Sequence, residues 1–189
     1  LFEQSELSEL KSKSYFCLTP KWNLKMKDAC TVDIKNQIML VLSSNGFAKE
    51  YSISTAKKGI GNVIGSYQTP IGQHSICEKF GDNAPLYTIF KSRNNTGTIC
   101  NQINIESTTD LILTRILRLK GEEPGINSGI TEDGACVDSY QRYIYIHGTN
   151  REDLLGTPAS HGCIHMANAD IAELFANIQV GAMVDIRPA

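Results

Sequence analysis

From Thr31 onward the chain is cut into short β-prone runs by loops rich in glycine, asparagine and serine, and one stretch near the end carries a helical period. A chain patterned this way buries its apolar residues by pairing strands and packing the paired faces together. Gln37 to Leu42 (QIMLVL) and Phe47 to Ser54 (FAKEYSIS) are separated by Ser-Ser-Asn-Gly, and Asn45-Gly46 suits a hairpin turn that demands positive φ. Further strands are expected at Leu86 to Lys91, Ile99 to Ile105, Leu111 to Leu119, Tyr143 to His147 and Met183 to Ile186. LILTRILRL fits either period, and its β-branched content favours a strand. Loops are expected at Ser92 to Thr98 and Lys120 to Asp138. Ile171, Leu174, Phe175 and Ile178 recur at helical spacing, with Asn168 placed to cap the helix and Gly181 to close it. The expectation is a mainly β domain of the α+β class, sandwich-like, with few helices.

The chain has 189 residues, enough for one domain with a full core. Residues 31–187 are expected to form it, preceded by an arm or short helical segment over 1–30, where Ser5 to Ser14 is rich in serine, glutamate and lysine. A formal charge of -2 supplies no basic face for phosphates, so nucleic acid is not an expected partner. Runs such as Ile38 to Leu42 fall far short of the roughly 20 apolar residues that cross a bilayer. Leu1-Phe2-Glu3-Gln4 does not read as a secretory signal, which decides nothing about compartment. Of the six cysteines, Cys17 and Cys30 are near enough in sequence to pair, while small buried hydrophobes are an equally good reading of most of them.

Three of the four histidines fall in HGTNREDLLGTPASHGCIHM, residues 147 to 166. In Tyr143 to His147 the side chains alternate, so His147 shares a face with Tyr143 and Tyr145 while Ile144 and Ile146 turn to the core. Gly148 then frees the backbone to turn. Sixteen positions after His147 comes Cys163, in Ser160-His161-Gly162-Cys163. A neighbouring imidazole can lower a thiol pKa to roughly 3.5–7.5 and make a nucleophile of it. Gly162, lacking Cβ, lets backbone N–H groups around Cys163 approach a substrate carbonyl, as an oxyanion hole requires. This constellation suits acyl transfer through a thioester. Two other readings stand beside it. His161, Cys163 and His165 alternate and could join His147 in a Cys-His₃ zinc site, although the spacing matches no standard ligand pattern. The plainer alternative is a buried cysteine among hydrogen-bonded core histidines.

His147-Gly148-Thr149-Asn150, followed by Gly156-Thr157-Pro158-Ala159-Ser160-His161-Gly162-Cys163-Ile164-x-Met166, resembles the signature of the L,D-transpeptidase catalytic domain of the YkuD type. Ser54 to Gly59 followed by Thr69-Pro70-Ile71-Gly72 is similar to an earlier glycine-rich stretch and turn of that family. The resemblance implies a YkuD-like β-sandwich acting on peptidoglycan stem peptides at the meso-diaminopimelate–D-alanine bond. It makes Cys163 the nucleophile and His147 the base, with Gly148 O orienting His147 and His161 shaping the pocket. Ser160, Gly148, His161 and Gly162 are the expected supporting residues, and His165 and Tyr145 the candidates for substrate contact. The family needs no metal or organic cofactor, works in the periplasm or cell envelope, and is expected to react with carbapenems. Water as acceptor would make the protein a carboxypeptidase or endopeptidase, and a silent wall-binding module is the alternative of another class. Many members carry arginine where this chain has His165, which exchanges a permanent fork of donors for an imidazole.

Overall fold

The computed structural model describes residues 28–100 and 110–188. The N-terminal arm, Cys17 with its proposed pairing to Cys30, and residues 101–105 of the expected Ile99–Ile105 strand lie outside the described residues. Among the described residues ten strands are formed: β1 (Ala29–Asp33), β2 (Ile38–Leu42), β3 (Ala48–Ser54), β4 (Gly72–Phe80), β5 (Thr88–Lys91), β6 (Asn94–Ile99), β7 (Ile112–Gly121), β8 (Tyr145–Gly148), β9 (Ile164–Met166) and β10 (Met183–Arg187). One α-helix, α1 (Asn168–Asn177), lies between β9 and β10. The strand order is β4-β10-β1-β2-β3-β9-β8-β7-β5-β6, and β4 also pairs with β7, which closes the sheet into a barrel-like sandwich. The pairs β1–β10 and β8–β9 are parallel and the others antiparallel.

Period-two alternation places the core. Met39 and Val41 of β2 are buried while Leu40 and Leu42 face out, and Cys30, Val32, Val184 and Ile186 continue the inner face on β1 and β10. Leu117 and Leu119 of β7, Ile146 of β8 and Ile164 of β9 meet Ile171, Leu174 and Phe175 of α1 in the same core. Full burial of each such side chain contributes about 1.5–3 kcal/mol before chain entropy is set against it. The opposite face of β7 and β8 is covered as well, where Ile116 and Tyr145 pack with Phe90 and Ala84. The strands that carry the histidines are therefore central and held from both sides.

The Asn45-Gly46 hairpin forms as expected, with Gly46 at φ 89° and Ser43 N–H donating to Phe47 O. Four local expectations differ from the fold. Ser92 to Thr98 is mostly strand, because β5 and β6 pair across a turn at Ser92-Arg93, both at positive φ. β4 escaped the sequence reading because burial along it does not alternate cleanly and a register shift falls between Ile76 and Glu78. Tyr143 sits outside β8 at φ 56°, so it leaves the face shared by Tyr145 and His147. Asn168 is the first helical residue rather than the cap. Ala167 is the N-cap, Glu152 Oε1 accepts the Asn168 N–H at 2.8 Å, and Gly181 turns the chain into β10 with its N–H on Ile76 O.

Candidate active site

Parallel pairing of β8 with β9 sets Ile146 against Ile164 and His147 against His165. Cys163 immediately precedes β9, so the same register and the alternation of side chains bring it to the face of the sheet that carries Tyr145, His147 and His165. Cys163 and His147 line one cavity of about 240 Å³, together with Asp110, Ile112 and His161. Sequence separation is thus removed by a single parallel strand pair.

The His147 ring is oriented by its own chain. His147 Nδ1 lies 2.9 Å from Gly148 O, and a carbonyl can only accept, so Nδ1 carries the proton and the neutral ring offers Nε2 as acceptor. Gly148 is glycine for lack of space: a Cβ there would lie 2.5 Å from Asn168 Oδ1 and 2.8 Å from Leu113 O. Opposite it, β7 bulges, since Leu113 pairs with Gly148 and Ile116 with His147, with Thr114 between them at φ 67°. Such a bulge beside a functional strand re-aims the local backbone. Asn168 fastens this junction, donating through Nδ2 to Thr149 O at 2.8 Å and to Glu152 Oε1 at 2.6 Å while accepting from Thr114 Oγ1.

The cysteine loop is held equally closely. Ser160 Oγ donates to Cys163 O at 2.5 Å and accepts the Gly162 N–H at 3.2 Å. Thr69 Oγ1 donates to Gly162 O at 3.1 Å, which ties in the Thr-Pro-x-Gly turn. Gly162 itself sits at φ 134°, a conformation that favours glycine. Ser160 and Gly162 thus shape the loop, with the Gly162 N–H engaged by the serine. The Tyr145 backbone N–H favours the charged form of the sulfur. The thiol donates to Tyr143 O at 3.6 Å.

Burial pushes the Cys163 thiol up to about 12, with Asp110 adding to the rise, and this outweighs the Tyr145 N–H and the nearby Arg142 guanidinium. Burial, aided by His165, also draws His147 down to about 4. The resting couple is therefore a neutral thiol and a neutral imidazole, in contrast to the depressed thiol expected from a Cys-His pair, because both groups are withdrawn from water.

The remaining candidates fall into three places. His161 is exposed at the mouth, with Nδ1 on Asp110 Oδ2 at 2.9 Å. His165 is buried, its ring edge-on to His147 with centroids 4.9 Å apart and its Nε2 3.2 Å from Asp110 Oδ1. Tyr145 is also buried, its ring in the apolar cluster and its hydroxyl accepting from Arg93 at 3.2 Å, so it packs beneath the site rather than facing the cavity. Two residues carried no sequence signal. Asp110 is a lone acid before a strand, and Arg142 is a lone base in a turn that donates to Gly61 O, Asn62 O and Gln68 O. Among the described residues no group of three or more His, Cys, Asp or Glu is arranged to hold a metal ion.

A family model described as the L,D-transpeptidase catalytic domain (YkuD) matches residues 27–186. The chain belongs to this family. YqjB of Bacillus subtilis (strain 168), a provisionally named L,D-transpeptidase, is 51% identical over 39 residues, which cover 21% of this chain and 22% of that one. L,D-transpeptidase 3 from Mycobacterium tuberculosis, solved with a faropenem-derived adduct, is 15% identical at a TM-score of 0.50 and shares the fold. The match covers 85% of this chain and 60% of that one. An L,D-transpeptidase from Mycobacterium smegmatis matches at 17% identity and a TM-score of 0.48, covering 85% of this chain and 58% of that one. This YkuD chain thus spans less than two thirds of the length of each of these relatives.

Acid should loosen the YkuD fold here. Burial draws His74 down to about 4 as well, although its Nδ1 donates to Gly72 O at 2.9 Å and its Nε2 accepts from Ser139 Oγ at 3.0 Å. Unfolded, both His74 and His147 titrate near 6.5, so the unfolded chain binds more protons between about pH 6.5 and 4. Stability then falls on acidification through that window, by up to about 1.4 kcal/mol per pH unit for each ring. Urea unfolding is expected to show a loss of about 2–4 kcal/mol from pH 7 to pH 5. An unchanged urea midpoint would contradict buried, neutral rings.

Proposed function

We propose that the protein is a peptidoglycan L,D-transpeptidase acting through Cys163, with residues 31–187 as its catalytic unit. The sulfur attacks the carbonyl of the meso-diaminopimelate–D-alanine bond, the thiol proton passes to His147 Nε2, and D-alanine leaves carrying that proton. An amine of a second stem then takes the acyl group from the thioester. The observation that carries this reading is the shared cavity, which a tautomer-locked imidazole and a thiol both line. Because the resting couple is neutral, the proton moves as the sulfur–carbon bond forms rather than before it. His161 borders the entrance, and His165 acts through its neighbours.

Such a substrate lies in the periplasm or cell envelope, and no helix among the described residues is long and apolar enough to cross a membrane. The test is incubation with a tetrapeptide muropeptide and mass analysis of the products. Crosslinked dimer with released D-alanine supports transfer, tripeptide alone shifts the assignment to hydrolysis, and unchanged substrate refutes it. His147→Ala is expected to lower turnover roughly 100- to 10,000-fold while leaving the protein folded.

A further inference from the structure

Asp110 stands at the junction of the three histidines, on the short approach to β7. One carboxylate oxygen accepts from His161 Nδ1 at 2.9 Å, on the loop that ends in Cys163, and the other lies 3.2 Å from His165 Nε2, on β9 behind His147. The second contact is close but poorly aligned, so Asp110 Oδ1 and His165 Nε2 are each buried without a well-formed hydrogen bond among the described residues. A buried imidazole and a buried carboxylate left this way are costly, and only their mutual attraction offsets the cost. The His165 ring in turn lies edge-on against His147. Asp110 also lines the cavity that holds Cys163.

We propose that Asp110 is a positioning residue of the acyl-transfer site: its carboxylate grips His161 on the cysteine loop and His165 behind the base, so that thiol and imidazole are held in one frame. This rests on the transpeptidase reading for its consequence in turnover, though not for its effect on the sulfur. The charged and titratable groups facing it are His147 from β8, His165 from β9, and His161 and Cys163 from the loop before β9, while Arg142 from the turn before β8 acts on Cys163. An imidazole such as His165 has only two ring nitrogens to fix its orientation, and Asp110 is the acid beside one of them. The negative charge of Asp110 favours a protonated His147 and disfavours a thiolate at Cys163.

The experiment uses the full chain as wild type, Asp110→Asn, His165→Asn and the double variant. It follows alkylation of Cys163 by iodoacetamide against pH, read on the Cys163 peptide by mass spectrometry, with thermal melting and tetrapeptide turnover alongside. Asp110→Asn is expected to move the alkylation profile to lower pH, because the carboxylate that opposes the thiolate is gone, and to reduce turnover about ten- to a hundredfold. The double variant should lose no more than the worse single one, since both substitutions break the same contact. A wild-type alkylation profile in folded Asp110→Asn, or losses that multiply in the double variant, overturns the proposal. If Asp110→Asn does not fold, His161→Ala decides, because its ring is exposed and its removal frees the carboxylate: turnover reduced several-fold supports the frame, and wild-type turnover overturns it. A wild type that never turns over the tetrapeptide refutes the transpeptidase reading, while the alkylation profile still judges Asp110.

Discussion

Cys163→Ala is expected to abolish acyl-enzyme formation, so that a carbapenem or a tetrapeptide leaves no mass adduct and turnover falls by roughly a thousandfold or more. The reason is chemical. His147 is drawn down to about 4 and is a weak base, so only a nucleophile as intrinsically reactive as sulfur can use it. Cys163→Ser should therefore be nearly as inert, because a hydroxyl asks more of the same imidazole. Folding should survive either change, since Cys163 packs only at the edge of a small apolar cluster. Cys17, Cys30, Cys77, Cys100 and Cys136 remain in the variant and serve as the internal control. An adduct of undiminished yield on the alanine variant would place the nucleophile at one of them and end the assignment.

Gly148→Ala should cost both stability and activity through the addition of one methyl group. The new Cβ would meet Asn168 Oδ1 and Leu113 O, and neither is the free end of a flexible side chain. Leu113 O belongs to β7, and Asn168 is fastened to Thr149 O, Glu152 and Thr114. Relief requires moving β8 away from β7 or breaking this buried network, at a cost of about 2–4 kcal/mol. For a chain of this length that corresponds to a fall in Tm of about 5–15 °C. The same shift would displace Gly148 O and free the His147 ring, so adduct formation should slow well beyond the loss of folded protein. Calorimetry and a carbapenem time course separate the effects, and an unchanged Tm would show that the junction has room the packing denies.

Legibility in the sequence followed locality. The hairpin at Asn45-Gly46, the apolar face of α1 and the strand ending in His147 could be read because each depends on neighbours a few positions away. β4 could not, since its burial depends on pairing with β7 and β10, which come 40 and 110 positions later in the chain. At the site, the tight motif pointed to His147 and Cys163, which the fold brings to one cavity, while alternation along a strand could not show that Tyr145 packs into an apolar cluster beside it. Asp110 was missed for the same reason. A lone acid acquires meaning only from the imidazoles that folding brings to it.

The sequence by itself determined a mainly β chain, a helix near its end and the membership of His147 and Cys163 in one compact motif, because periodicity, turn residues and motif are written in nearby positions. Tertiary structure alone decided the protonation of that pair and the partners that hold it. The neutral couple follows from burial beneath β7 and β8, and the grip on His161 and His165 follows from where the approach to β7 ends. Desolvation and long-range contact are properties of the packed chain, and no window of residues contains them.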